Sequence, residues 1–191
     1  ELTERTITTW EDQAAIAIEQ AFGPLEGRRL FKKYVRSESR SGMYRESTTP
    51  AEVPADLVRL EQLEGRLEMS LIPLSPETAT LKLYSPTPLG LTETLRTLQN
   101  LKLGVREELS IPIVLPEHRR AHLSRLLVEA EPRVITAMLQ GEARLLDALR
   151  ALQEQRATDA PLNGLVLLEG LAWRQVEVLR AVRNHLLQIR P

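Results

Sequence analysis

The 191-residue sequence has no cysteine. That excludes disulfides, thiolate catalysis and cysteine-based zinc sites, and it fits a reducing, cytoplasmic setting. It has no charge of one dominant sign: 25 Lys and Arg stand against 26 Asp and Glu, a net charge of -1. The basic excess or stripe of a nucleic-acid binder is missing. No stretch approaches the roughly 20 apolar residues of a membrane helix, and the first twenty positions are polar and acidic, unlike a signal peptide. No internal repeat or low-complexity tract is present. The sequence opens on Glu1 instead of methionine, which suggests a piece of something longer.

The catalytic inventory is also thin. There is no G-x-G-x-x-G, no P-loop and no G-x-S-x-G. Of the three histidines, His118 and His122 stand four apart, a metal-pair spacing on a helix, but the intervening arginines oppose a cation. Both read as exposed loop residues. Glu107 and Glu108 read as a solvated strand face. No nucleophile, base and oxyanion set can be assembled, so catalytic, cofactor and metal residues are all expected to be none.

What is present is periodicity. Trp10, Ala14, Ile18 and Phe22 recur at helical spacing behind Thr9, a suitable N-cap with Glu11 and Asp12 in the first turn. A second helix is expected over 26–36, a loose linker over 37–54 and a short helix over 55–63. The middle alternates with period two: Leu67, Met69 and Leu71; Ala79, Leu81 and Leu83; Val105 to Leu115 on odd positions; and Leu126, Val128 and Ala130. Such alternation predicts a mainly antiparallel sheet within 66–131, one face buried and one wet. Pro112 marks an edge or bulged strand. Thr92 is expected to cap an amphipathic helix over 91–103, with Gly104 ending it left-handed. That helix and another over 141–157 should cover one face of the sheet. Leu81, Leu83, Leu95, Leu98, Ile111, Ile113 and Val128 are the expected core. Strand, tight turn, helix, strand is the front of a split β-α-β layer, and the whole reads as an α+β sandwich.

Two places could carry function. The turn between the second strand and its helix, Thr87, Leu89 and Gly90, is either a plain connection or a small-ligand site holding a carboxylate at the helix N-terminus. The C-terminal helix carries Trp173, Arg174 and Arg180 beside a 4–3 apolar seam of Ala172, Val176, Leu179, Val182, Leu186 and Ile189. The arginines suit forked bonds to carboxylates of another element, an inter-domain contact. The seam is expected to pack on the first helix through Trp10, Ile18 and Phe22, with Arg174 and Arg180 at the rim.

The C-terminal stretch resembles the large-subunit bacterial NAD-specific glutamate dehydrogenases. Asp159, then Asn163, Leu165 and Val166, then Gly170, Leu171, Trp173, Arg174 and Val176, then Leu179, Arg180 and Ala181, and finally Leu186 and Gln188 keep that family's spacing. "TWEDQAAIAIEQAFGPLEGRRLFKKY", "DLVRLEQL" and "LKLYSPTPLGLTETLRTLQNLKLGVREE" resemble its earlier segments. The resemblance implies an N-terminal helical segment and linker over 1–65, an ACT-like, ferredoxin-like β-α-β-β-α-β sandwich over 66–157, and a helical segment over 158–191 leading to a catalytic region outside this sequence. It implies a non-catalytic regulatory or assembly fragment whose parent oxidises L-glutamate to 2-oxoglutarate with NAD. NAD would serve the parent and no cofactor this fragment. Its partners would be the remaining domains of the same subunit in a homo-oligomer, with no nucleic acid and no membrane. The rivals are a stand-alone ACT-like module sensing an amino-acid effector and a purely structural interaction module.

Overall fold

The computed structural model describes residues 9–35, 42–115 and 119–189. The first layer is helical: α1 (Trp10–Phe22), α2 (Pro24–Leu30) continuing into a π-helical turn at Phe31–Val35, α3 (Gly42–Ser47), a 3-10 turn at Pro50–Glu52, and α4 (Val53–Gln62). α1 starts at Thr9 through a reciprocal capping box with Asp12. It stops at Gly23, whose φ of 81° is left-handed space that a side chain would strain. The stretch read as a loose linker over 37–54 instead holds α3 and the 3-10 turn; its residues 37–41 lie outside the described ones. Tyr44 anchors it, fully buried. Its short polar residues hid the one aromatic that docks the segment.

The sheet follows: β1 (Glu68–Pro73), β2 (Thr78–Ser85), α5 (Leu91–Asn100), β3 (Gly104–Val114) and β4 (Arg120–Glu129), then α6 (Pro132–Gln140) and α7 (Glu142–Gln153). The four strands lie in the order β1-β2-β4-β3, and every neighbouring pair is antiparallel. The chain order is therefore β-β-α-β-β-α, not the expected β-α-β-β-α-β. The strand beside β2 comes from the N-terminal side as a hairpin, so none has to follow the last helix. β2, α5 and β3 still form the split β-α-β unit, with β4 inserted between the two parallel strands.

Helices cover both faces, which corrects the expectation of one wet face. The odd residues of β2, Ala79, Leu81 and Leu83, enter a core with Leu98 of α5 and Leu101 just past it, Val134, Ile135 and Met138 of α6, and Leu145 and Leu149 of α7. On the opposite side Tyr84, Ile111, Ile113, Ala121 and Leu123 meet Ile18, Leu30, Tyr44, Leu57 and Leu60 of the N-terminal helices. A bulge between Val105 and Glu107 divides β3 between the two cores, because one extra residue reverses the parity. Pro112 lies on the edge strand β3, where a missing N–H costs no ladder bond.

Six of the seven expected core residues are buried, but Leu95 is 36% exposed. The buried line of α5 runs through Leu98 and Leu101, and its N-terminal half overhangs a cavity. α5 is capped by Gly90, not Thr92, and the left-handed residue just past its end is Lys102, φ 70°, not Gly104. Leu103 N–H bonds to Leu98 O at 2.9 Å and Lys102 N–H to Gln99 O at 3.0 Å, a left-handed cap closed by two buried leucines. The Lys102 stem crosses Gly164 so closely that a Cβ there would lie 2.9 Å from it.

The chain closes with a 3-10 turn at Pro161–Gly164, α8 (Leu165–Leu168) and α9 (Trp173–Gln188). α9 packs on α7, α8 and this turn. The core around Trp10, Ile18 and Phe22 holds no α9 side chain among the described residues. The expected packing of α9 on α1 is thus not formed: Leu179, Val182, Leu186 and Ile189 are 44–62% exposed. α1 turns its buried residues to the sheet, α2 and α4 instead.

Candidate functional site

β2 runs into its turn through Ser85, whose hydroxyl donates to Thr87 O at 2.6 Å. Gly90 then begins α5 in an extended conformation, φ -66°. Any residue adopts that φ, so no left-handed turn demands the glycine. Leu89 and Gly90 line a cavity of about 300 Å³; Thr87 does not. The floor is Leu67, Leu83, Leu98, Leu149 and Leu152, and the rim is Glu93, Thr94, Arg96, Thr97, Gln153 and Asp159. Asp159 accepts from Arg96 Nε at 3.2 Å, Thr97 Oγ1 at 3.0 Å and Asn100 Nδ2 at 2.8 Å. Such a slot can hold an aliphatic group under a polar head. None of its lining residues is a histidine, serine or lysine that could serve as nucleophile or strong base.

Thr158, the residue before Asp159, belongs to the second site. Arg180 is 9% exposed, not at a rim. Its Nη2 donates to Asn163 Oδ1 at 2.7 Å and Thr158 O at 3.1 Å, and its Nε to Glu177 Oε1 at 3.2 Å. Asn163 returns a bond to Thr158 O at 3.0 Å, and Thr158 N–H donates to Glu177 Oε1 at 3.2 Å. The guanidinium therefore ties α9 to the segment that precedes it. Trp173 and Arg174 work elsewhere. Trp173 Nε1 donates to Asp147 Oδ2 on α7 at 2.9 Å, and the Arg174 guanidinium lies 4.4 Å from the indole centroid, a cation–π contact. The three residues thus fix one helix at two points. Asp159 and Asn163 stood in the sequence only as marks of resemblance; their polar, hydrogen-bonding side chains beside a helix start were the available signal.

A third cluster was missed. Lys82, fully buried, donates to Asp56 Oδ1 at 2.8 Å and Oδ2 at 3.1 Å, and lies 2.6 Å from Glu52 Oε2. Tyr84 and Tyr44 hydroxyls donate to the two Asp56 oxygens at 2.6 Å each. Arg125 pairs with Glu52 at 3.3 Å and donates to Ser47 O. Two cations meet two carboxylates, so the cluster is neutral and joins α4 to β2. Burial pushes the Tyr84 phenol well above its ordinary value, helped by the Asp56 charge and by its bond to Asp56. Burial raises the Glu52 carboxyl, but the Lys82 bond and charge, Thr49 and Arg125 outweigh it and leave it below its ordinary 4.5. The alternation of β2 had put Lys82 on the wet face.

Among the described residues no group of three or more His, Asp or Glu is placed to hold a metal ion. His122 lies on β4, and His118 is outside the described residues. No described helix is long and apolar enough to cross a membrane.

A family model described as "Glutamate dehydrogenase, helical motif 3" matches residues 157–191. The match begins just before the Thr158–Asp159 anchor and spans α8 and α9. No curated protein matches the chain.

Proposed function

We propose that the chain is a non-catalytic regulatory or assembly segment of a glutamate-dehydrogenase-related enzyme. The observation that carries this is the agreement between the helical-motif match over 157–191 and an α9 held rigidly at its base. In this reading 1–65 is a helical segment, 66–157 an ACT-like unit, and 158–191 the element that meets the remaining domains of the same subunit. The ACT-like assignment is supported by the β-α-β-β-α run from β2 to α7, with β1 at the edge where a last strand would otherwise lie. The parent, homo-oligomeric and cytoplasmic, oxidises L-glutamate with NAD through residues outside this sequence. Trp173, Arg174 and Arg180 set the direction of the inter-domain helix.

The open reading frame is expected to continue into a catalytic region, and the purified chain to reduce no NAD with glutamate. A stop codon near Pro191, or turnover by the chain alone, overturns the proposal. The cavity at Leu89 and Gly90 favours one second reading, an amino-acid-sensing module. Calorimetric titration with a panel of amino acids checks it: saturable heat is expected from aliphatic ones, and a flat response throughout removes the reading.

A further inference from the structure

α9 has two apolar sides. Trp173, Val176 and Arg180 turn inward, and Val176 and Arg180 are 1% and 9% exposed. Leu179, Val182, Leu186 and Ile189 lie roughly a quarter to a half of a turn from the middle of that side at about 100° per residue, and are exposed. Their steps of three, four and three repeat a heptad seam over about 15 Å of helix at 1.5 Å per residue. Arg183 borders the seam on one side and His185 on the other; Arg174, beyond its N-terminal end, stacks on Trp173 and pairs with Asp147 at 3.9 Å. Glu177, the one acid of α9, points to the far side and is held by Thr158 and Arg180.

We propose that this stripe is a docking surface for an amphipathic helix with an apolar heptad seam and acidic margins, contributed by the longer polypeptide. This rests on the functional reading above. Charge selects the partner: a second copy of the chain would bring the same arginine to the same margin, and across a two-fold axis near Val182 each Arg183 would approach its own mate. Size agrees. About one and a half heptads of one helix offer far less than the ~800 Å² per partner of a stable free interface, so a free peptide binds weakly and saturates only at high concentration, whereas a helix tethered in the same polypeptide is held by its high effective concentration. The base of α9, pinned by Arg180 and Trp173, sets the direction of the stripe and holds its first turn in place.

The test uses the full chain and synthetic helical peptides that share one leucine heptad seam, with either glutamates or lysines at the margins. Saturable binding of the glutamate peptide, at least tenfold tighter than the lysine peptide, is expected. It should fall at least tenfold in Leu186→Asp, and Arg183→Glu should shift the preference toward lysine. Both positions are exposed, so folding is expected to survive, as circular dichroism will check. The proposal is overturned by equal binding of both peptides, by no binding of either, by a dimer in sedimentation that Leu186→Asp dissolves, or by binding to phosphatidylserine vesicles in place of the peptides. If neither peptide binds while the reading frame continues into a catalytic region, the surface is wrong and the function stands. If the glutamate peptide binds but the frame stops near Pro191, the surface chemistry stands and its source and the parent enzyme fall.

Discussion

The two faces of one strand, β2, are buried by opposite means. Ala79, Leu81 and Leu83 enter a dry aliphatic core under α5, α6 and α7, where contact area decides the fit. Thr80, Lys82 and Tyr84 enter an equally buried layer under α1 and α4, where an ammonium, two carboxylates and two phenols must meet in fixed directions. Apolar packing tolerates exchange of one aliphatic for another of similar volume. A charge cluster does not tolerate loss of one member, although replacing all of it by apolar groups can be neutral or better. The polar face therefore specifies how the N-terminal helices dock, and the dry face is held by aliphatic contact.

The largest expected effect breaks the polar face. Asp56→Ala leaves Lys82 buried with only Glu52 and should cost about 3–5 kcal/mol in chemical denaturation. The double variant Asp56→Leu with Lys82→Met should recover most of that loss; if it is as unstable as the single variant, the charges stabilise the docking outright. On the dry face, Leu98→Ala should cost about 2–5 kcal/mol through its cavity, whereas Leu95→Ala, at a half-exposed site, should cost well under half as much. Equal losses would mean that α5 is rotated from the orientation described. Asn163→Ala removes a partner of Arg180 and should cost about 1–3 kcal/mol, with the loss concentrated in α9 by amide exchange.

The smallest effect is the acid limb of stability. Because the Glu52 carboxyl is held below its ordinary value in the folded chain, its contribution is present above about pH 4.5 and is lost as pH falls through the folded value. Glu52→Gln should flatten that limb; an unchanged acid slope would detach Glu52 from the Lys82 cluster.

Four strands, the crossover helix and the Thr9 cap were legible because each is written in local periodicity or a short capping pattern. The covering of the second face was not. Alternation shows that Lys82 and Tyr84 share a side, but Asp56, 26 residues from Lys82, decides whether that side is wet. The break in β3 was hidden as well, since Val105 and Ile111 are both odd and only pairing reveals the bulge between them. Of the sites, the sequence marked Leu89 and Gly90, which line a cavity, with Thr87, which does not, and it marked Trp173 and Arg180 without their partners Asp147 and Asn163. Those contacts join separate elements and leave no spacing to read. The seam of α9 was seen as one stripe because Val176 and Leu179 both fit a 4–3 pattern; only burial separates the anchored side from the open one.

Amide exchange along α9 of the isolated chain tests that separation most directly. Residues 176–180, bound to α7 and the Thr158–Asn163 segment, are expected to be protected to the level of the sheet, and 183–188 to exchange orders of magnitude faster, with Leu186→Asp changing neither. Uniform strong protection to Gln188, or its loss on Leu186→Asp, would contradict it, because the outer stripe would then already be packed within this chain.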